Sequence, residues 1–104
     1  MDTVFIDTPD QSRYELRVDG DGDGAGDGEL VGFIDYRLHH DAGRDVIVLV
    51  HTEVLPDFSG QGHASTLARS ALDDARSRGL SVVPSCPYVA AYIGKHPEYA
   101  DLVR

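Results

Sequence analysis

The chain has 104 residues, 41% of them hydrophobic, which is room for one compact domain with one core. Eighteen acidic residues against nine basic ones give a formal net charge of −9, and Lys95 is the only lysine. This charge repels nucleic acid and anionic membrane surfaces, and it attracts an amine or a basic peptide. The same excess of acid also serves solubility.

Cysteine usage and the distribution of apolar residues limit the cellular setting. A single cysteine, Cys86, excludes an intrachain disulfide. No apolar run approaches the roughly 20 residues that a membrane helix needs. Residues 1–5 lack the basic start and the apolar stretch of a signal peptide. We therefore expect a cytoplasmic protein.

In the first half of the chain, the residue pattern predicts three strands. Residues 1–12 are mixed and predict an extended segment. Residues 13–18 alternate apolar and charged side chains, which indicates a half-buried strand. The Asp-Gly stretch 19–28 has no side chain able to pack, so a flexible, solvated loop is expected. A second strand over 29–38, weakened at Gly32, precedes a turn over 39–43. The β-branched run within residues 45–54 predicts a third strand, covered on both faces.

The second half of the chain has helical spacing in two places. Apolar residues recur on one face between Gly62 and Arg78, and Gly79 is expected to end this helix in a left-handed conformation. Residues 81–84 predict a short buried strand, and residues 87–96 predict a second helix with Pro87 in its first turn. The order β-β-β-α-β-α predicts a single α+β domain over residues 1–104. Its sheet is mixed and mostly antiparallel, with helices packed on it.

A glycine-rich turn between the third strand and the first helix is the clearest candidate site. Free amide groups and the positive end of the helix dipole favour an anion there, and glycine lets a phosphate approach the backbone. The segment is Gly60, Gln61, Gly62, His63, Ala64 and Ser65. A Walker loop is excluded because it ends in Gly-Lys-Ser/Thr, and a dinucleotide fingerprint would have glycine in place of Ser65. A pyrophosphate loop and a tight turn without a ligand both remain open.

Several further stretches resemble one family in the expected order. They are His51-Thr52-Glu53-Val54, Gly60-Gln61-Gly62-His63-Ala64, Ala71-Leu72-Asp73-Asp74-Ala75-Arg76, Gly79-Leu80, Val83-Pro84-Ser85-Cys86-Pro87-Tyr88-Val89, Tyr92-Ile93 and His96-Pro97-Glu98-Tyr99. Together they cover about half of the chain. The sequence resembles the small GNAT-like acetyltransferases of the YidJ type.

The resemblance implies acetyl-coenzyme A as co-substrate, held at residues 60–65. Ser59 stands where the superfamily usually has Arg or Gln, so one phosphate-facing group is missing. The acceptor-binding helices of full-size members are replaced here by the Asp-Gly loop. By the same resemblance, Val54 and Leu55 lie where the third strand is expected to splay and to hold the thioester carbonyl.

The residues suited to acetyl transfer lie on both sides of this loop. Glu53 is the candidate base, and His51, two residues earlier, is the reserve. Cys86, at the start of the second helix, is expected to lie near the coenzyme sulfur at the same end as Glu53. Tyr88 and Tyr92 could protonate the leaving thiolate, although aromatic residues at helical spacing also suit a core.

No metal site is predicted. The Asp19-Asp21-Asp23 start of a calcium loop lacks the glutamate at its twelfth position, and the His39-His40 pair has no cysteine nearby. The resemblance to the GNAT-like acetyltransferases implies an N-acetyltransferase that acts directly on an amine, and we expect a monomer or weak homodimer. The alternative is a coenzyme-A-binding module without efficient transfer.

Overall fold

The computed structural model describes residues 2–20, 22, 24 and 26–104. Five strands form one sheet in the order β1-β2-β3-β4-β5. The first four strands pair antiparallel, and β5 pairs parallel to β4. Their bounds are Thr3–Thr8 (β1), Arg13–Val18 (β2), Leu30–Asp41 (β3), Arg44–Val54 (β4) and Ser81–Pro84 (β5). The predicted α+β class, with a mixed and mostly antiparallel sheet, is confirmed.

Two α-helices follow the antiparallel strands, α1 at His63–Ser77 and α2 at Pro87–Lys95, and 3₁₀ turns span Pro9–Gln11, Pro56–Phe58 and Pro97–Leu102. The buried face of α1 has the predicted helical spacing, with Leu67, Ala68, Ala71, Leu72 and Ala75. In the described part of the chain, none of the helices is both long and apolar enough to cross a membrane.

The predicted order of elements omitted the first strand. Thr3–Thr8 was expected to be only an extended segment, yet it pairs with β2 over its whole length, from Thr3↔Val18 to Thr8↔Arg13. Its side chains are nearly all half-buried, so the alternation that marks an inner strand is absent. The run Val4-Phe5-Ile6 was the available signal, because β-branched and aromatic residues favour strands.

The hairpin between β3 and β4 is longer and tighter than predicted. The expected turn over 39–43 reduces to Ala42 and Gly43, both at positive φ (53° and 78°). Two residues of this conformation match the twist of the flanking strands. His39 and His40 therefore lie in β3, opposite Val46 and Asp45.

Glycine at position 32 lets α1 approach the sheet closely. An added Cβ there would lie 2.5 Å from the Glu53 carbonyl oxygen and 3.1 Å from Leu67 Cδ1. Gly32 and Ile34, with their respective partners Leu16 and Tyr14, lie on the same side of the pleat. α1 therefore covers this side, called here the helix face. The residue predicted to weaken the strand thus sets the contact between helix and sheet.

The opposite side of the sheet, called here the open face, is only partly buried. On β4, Ile47 and Leu49 are fully buried, whereas Val48 is half-buried and Val50 is 36% exposed. The prediction that this strand is covered on both faces is therefore wrong for its second half. Val50 is also the extra residue of a β-bulge, because Asp35 pairs with His51 whereas Tyr36 pairs with Leu49.

The part of the Asp-Gly loop around Gly26 packs against β1. Gly26 is buried, and an added Cβ would collide with Ile6 and lie 3.2 Å from Val4 Cβ. The loop is closed by the Val18 amide, which donates to the Glu29 carbonyl at 2.9 Å. Asp21, Asp23 and Ala25 lie outside the described residues, so the predicted flexibility of the loop stays a prediction.

A polar network joins the C-terminal end of α1 to the first strands. The Tyr14 hydroxyl donates to Asp74 Oδ2 at 2.6 Å, and Arg78 reaches the same carboxylate at 3.1 Å. The Tyr36 hydroxyl donates to Asp7 at 2.6 Å, and Asp7 lies 3.6 Å from Arg78. Burial and the acidic acceptors raise the pKa of both tyrosines, so these hydroxyls stay protonated and keep donating.

Candidate active site

A wedge opens between β4 and β5. Their parallel pairing runs from Val46↔Ser81 to Leu49↔Pro84 and ends there. The Cys86 amide then donates to the Leu49 carbonyl at 2.8 Å, which closes the apex of the wedge. From His51 to the end of β4, the edge that faced β5 has no strand partner among the described residues and is called here the open edge. A chain-like ligand could lie along this edge as a further strand would.

β4 and β5 part earlier along the chain than predicted. Val54 and Leu55 were predicted to mark the splay, yet the parallel pairing has already ended at Leu49. The Leu55 amide donates to the Val31 carbonyl at 2.9 Å. It is therefore committed to β3 and does not face the wedge as a free donor. The β-bulge at Val50 accounts for the difference, because a bulge bends its strand and increases the local twist.

The glycine-rich loop follows β4 directly and leads into α1. Gly60 and Gly62 have φ values of 77° and 80°, which glycine adopts without strain. An added Cβ at either position would meet nothing within 4 Å. Ser59 and Gln61 are exposed, and the Ser59 hydroxyl donates to the Pro56 carbonyl at 3.0 Å. The loop therefore presents bare backbone toward open space, a shape into which a phosphate fits.

The first turn of α1 has donors to offer. Gly62 is its N-cap residue, and no side-chain hydrogen bond caps the helix within the described chain. The first backbone hydrogen bond of the helix is from the Thr66 amide to the Gly62 carbonyl. The amides of His63, Ala64 and Ser65 come before it and therefore have no acceptor within the helix. His63 Nε2 lies 3.4 Å from Gln61 Oε1 at the same end. These groups and the helix dipole favour an anion here.

His51 and Glu53 lie together on the open face of β4. His51 Nε2 is 3.3 Å from Glu53 Oε1, and both side chains are about half exposed (55% and 49%). The pair adjoins the stretch of β4 that has lost its β5 partner. An exposed carboxylate next to an imidazole can accept a proton from an incoming amine. The structure thus places the predicted base and its reserve in one hydrogen-bonded pair.

Cys86 lies on the other side of β4. It is the N-cap residue of α2 and is 3% exposed. Its Sγ is 3.3 Å from the Thr52 hydroxyl oxygen. Because side chains alternate along a strand, a thiol beside Thr52 faces away from Glu53. Glu53 and Cys86 were predicted to lie at one end of the coenzyme, and the contact of Cys86 with Thr52 was not predicted. The alternation within His51-Thr52-Glu53 was the available signal.

The two candidate tyrosines differ in their surroundings. Tyr88, near the start of α2, is 40% exposed. The Tyr92 ring is buried and stacks on His96, with centroids 4.1 Å apart. It also lies 6.2 Å from the Tyr99 ring. Tyr92 is therefore part of the core between α2 and the C-terminal 3₁₀ turn, and Tyr88 is the one accessible to a ligand.

The described residues contain no group of three or more His, Cys, Asp or Glu side chains placed to hold a metal ion. His40 Nδ1 instead lies 2.8 Å from Asp45 Oδ1, in an exposed pair at the β3–β4 hairpin. The aspartates at positions 21 and 23 lie outside the described residues.

Solved structures with this arrangement of elements are known. The solution structure of a GCN5-like protein from Staphylococcus aureus superposes with a TM-score of 0.63 at 22% identity, covering 96% of this chain and 86% of that one. A ribosomal-protein-alanine N-acetyltransferase from Brucella melitensis superposes with a TM-score of 0.58 at 25% identity, covering 88% of this chain and 60% of that one. Both share the fold.

Sequence comparison points the same way. The chain is 33% identical to the protein NATD1 of Gallus gallus, Mus musculus and Homo sapiens over 60 residues. These 60 residues are 58% of this chain. It spans about half the length of these curated relatives (53% to 54%). A family model described as GCN5-related N-acetyl-transferase matches residues 13–102. Assignment to the smaller YidJ-type group stays a prediction. The chain belongs to the GCN5-related N-acetyltransferase family.

Proposed function

We propose that this protein is an acetyl-coenzyme-A-dependent N-acetyltransferase that transfers the acetyl group directly to an amine. The observation that carries this proposal is the wedge between β4 and β5. Its open edge begins beside His51 and runs toward a loop with two left-handed glycines and an uncapped helix start. A long ligand with an anionic group at one end and a reactive group at the other matches this path.

The anionic end is assigned to residues 60–65. Amides at the start of α1 would donate to the pyrophosphate, and bare backbone at Gly60 and Gly62 would allow its approach. The Ser59 hydroxyl is already used within the loop, so it does not replace the missing Arg or Gln. We expect the backbone to supply most of the phosphate binding in this protein, with His63 in the first turn of α1 as a side chain that can carry positive charge.

The reacting end is assigned to the open edge of β4. The thioester supplies an acetyl carbon at which the amine forms a C–N bond while the C–S bond breaks. Glu53 takes one proton as the ammonium group becomes a free amine. After attack the nitrogen loses a second proton, and the released thiolate gains one, so charge and atoms balance. His51, 3.3 Å from Glu53, can hold the carboxylate in place or pass the proton to solvent.

Cys86 is assigned an indirect role. Its thiol is buried against Thr52 on the helix face, away from the Glu53 carboxylate. In direct transfer the Cys86 thiol therefore neither takes nor gives a proton. Its role is limited to the surroundings of the coenzyme sulfur. Tyr88, exposed at the start of α2, remains the candidate that protonates the thiolate.

The test combines binding with transfer. Titration with acetyl-coenzyme A should move the amide resonances of residues 51–54 and 60–65, and a panel of primary amines should be acetylated. Glu53→Gln should lower kcat by about 10²–10⁴-fold, the usual worth of a positioned base, and leave coenzyme affinity unchanged. The matched control is Glu98→Gln, because Glu98 pairs with His96 at 3.8 Å in a similar exposed setting.

Different outcomes separate the alternatives. Resonance shifts without acetylation of any amine would indicate a coenzyme-binding module, and no shifts at residues 60–65 would refute the whole assignment. Cys86→Ala should retain most of the activity. An acetyl group trapped on Cys86, together with an inactive Cys86→Ala variant, would replace direct transfer by a covalent relay.

A further inference from the structure

A row of polar side chains crosses the open face beside the proposed reacting end. In the register of the sheet, Arg13 of β2 lies opposite Asp35 of β3, and Asp35 lies opposite His51 of β4. Partners in an antiparallel pair lie on the same face with their Cβ atoms about 4.5–5.5 Å apart. Asp35 is therefore a direct neighbour of the His51–Glu53 pair, although the sequence motif that contains the pair does not include it.

Arg13, the residue opposite Asp35, forms its side-chain hydrogen bonds with Glu15. The Arg13 guanidinium donates to Glu15 Oε2 through Nε and Nη2, at 2.8 and 2.6 Å. It also lies over the Phe33 ring, 4.8 Å from the centroid. Glu15 is buried and is held from its other side by Arg17 at 2.8 Å. The cation opposite Asp35 is thus bound in a fixed arrangement on β2 and is not directed at Asp35.

Asp35 has no cation of its own among the described residues. The ion pairs and side-chain hydrogen bonds of the described chain include neighbours on both sides of it, Arg13 and His51, but not the Asp35 carboxylate itself. Its side chain is half-buried, so solvent screens it only in part. Together with the net charge of −9, this favours a positively charged ligand at this position.

Resting on the proposed function, we infer that Asp35 is a specificity-determining residue that binds a second positive charge of the acceptor. Glu53 receives the proton of the reacting amine, and Asp35 holds another ammonium group. Diagonal neighbours across an antiparallel pair are roughly 7–8 Å apart, a distance that a short aliphatic diamine spans. The acceptor class is therefore a diamine or polyamine that lies on the open face, not a singly charged amine.

The experiment compares butane-1,4-diamine with butylamine, which has the same chain and one charge fewer. The wild-type protein should show a KM for the diamine about 10- to 100-fold lower, the worth of one charge-assisted hydrogen bond. Asp35→Asn should remove this preference, and Asp35→Glu should restore part of it. Asp45→Asn makes the same change in net charge at an exposed aspartate near the far end of β4 and should keep the preference.

A binding titration makes the result independent of turnover. Added to the protein saturated with coenzyme A, the diamine should shift the amide resonances of residues 35, 51 and 53, and Asp35→Asn should abolish those shifts. If the diamine binds in this way but no amine is acetylated, the inference stands and the transferase proposal fails. Equal KM values for the two amines in the wild type, or a preference retained in Asp35→Asn, would overturn the inference even if transfer is efficient. Absence of these shifts would also overturn it.

Discussion

The two ends of α1 carry the same backbone feature in opposite surroundings. Gly62 before the helix and Gly79 after it both have left-handed conformations, with φ of 80° and 68°, and both face open space. At the C-terminal end the backbone is satisfied, because Gly79 donates to Arg76 and Leu80 donates to Ala75. At the N-terminal end no side chain within the described chain caps the helix.

The difference shows what a left-handed glycine does and does not indicate. Its conformation alone marks a tight turn, as Gly79 demonstrates. What distinguishes the Gly62 end is the set of amides left without an intrahelical partner and its position at the end of the open β4 edge. The same substitution at both glycines should therefore destabilise the backbone equally, and any difference in ligand affinity distinguishes a ligand site from a simple turn.

The largest expected effect is on coenzyme binding. Gly62→Val places a branched side chain where the phosphate would approach and should weaken acetyl-coenzyme A binding at least about 100-fold, since more than one charge-assisted hydrogen bond is lost. Gly79→Val should leave affinity unchanged. Both variants should lose a similar free energy of unfolding, about 1–2 kcal/mol, because both force a residue with a Cβ into the left-handed region.

Calorimetric binding curves and urea unfolding of the two variants check this comparison. Equal coenzyme affinity in Gly62→Val and the wild type would show that the loop is a tight turn without a ligand. A large loss of affinity in Gly79→Val as well would indicate a general effect of helix destabilisation.

A smaller effect is expected on stability at alkaline pH, and it arises at the C-terminal end of α1. The pKa of Tyr14 and that of Tyr36 are raised by burial, then by hydrogen bonds to Asp74 and Asp7. A raised folded-state pKa means that the stabilisation is fully present below the unfolded-state pKa of about 10 and is lost as the pH rises above it. The free energy of unfolding should then fall by up to about 1.4 kcal/mol per tyrosine for each pH unit above 10.

Urea midpoints measured at pH 9 and pH 11 test this dependence. Tyr14→Phe should reduce the loss of stability between the two pH values, whereas Tyr88→Phe, at an exposed tyrosine on α2, should not. An unchanged slope in Tyr14→Phe would mean that Tyr14 does not resist ionisation. Below pH 9, coenzyme affinity should be the same in all three proteins, because this network lies at the far end of α1 from the glycine loop.

The smallest effect is expected in the Asp-Gly loop. Replacing residues 19–28 by Asn-Gly keeps the closing pair of Val18 and Glu29 and supplies a turn suited to a hairpin. Stability should change by no more than about 1 kcal/mol, since the closing hydrogen bond between Val18 and Glu29 is kept and Gly26 brings no side chain to the core. Coenzyme affinity should stay the same. A large loss of either would show that the loop supports the Gly62 end of α1.

Sequence patterns predicted well those elements that depend only on residues close together in the chain. The apolar spacing of α1 and the left-handed conformation at Gly79 were predicted and confirmed. The strand β1 was missed because an edge strand lacks strict alternation. The splay was placed at Val54 and Leu55, too far along β4, because a bulge at Val50 has no distinctive sequence signal in a β-branched run.

The candidate site divides in the same way. The glycine loop could be found in the sequence, since residues 59–65 are consecutive and glycine has a direct conformational meaning. The contact of Thr52 with Cys86 joins residues 34 positions apart. The placement of Asp35 beside His51 follows from strand register, and register depends on the hairpin and the bulge together.

By itself, the sequence determined the class of fold, the helix that follows the glycine loop, and the acidic character that favours a cationic acceptor. These depend on periodicity, backbone freedom and charge, which are properties of short segments or of composition. Only the tertiary structure decided where β4 parts from β5, which face holds His51 and Glu53, and that Arg13 pairs with Glu15 and leaves Asp35 without a cation among the described residues. Those relations depend on which strands become neighbours, and the pairing energies that select neighbours act between residues far apart in the chain.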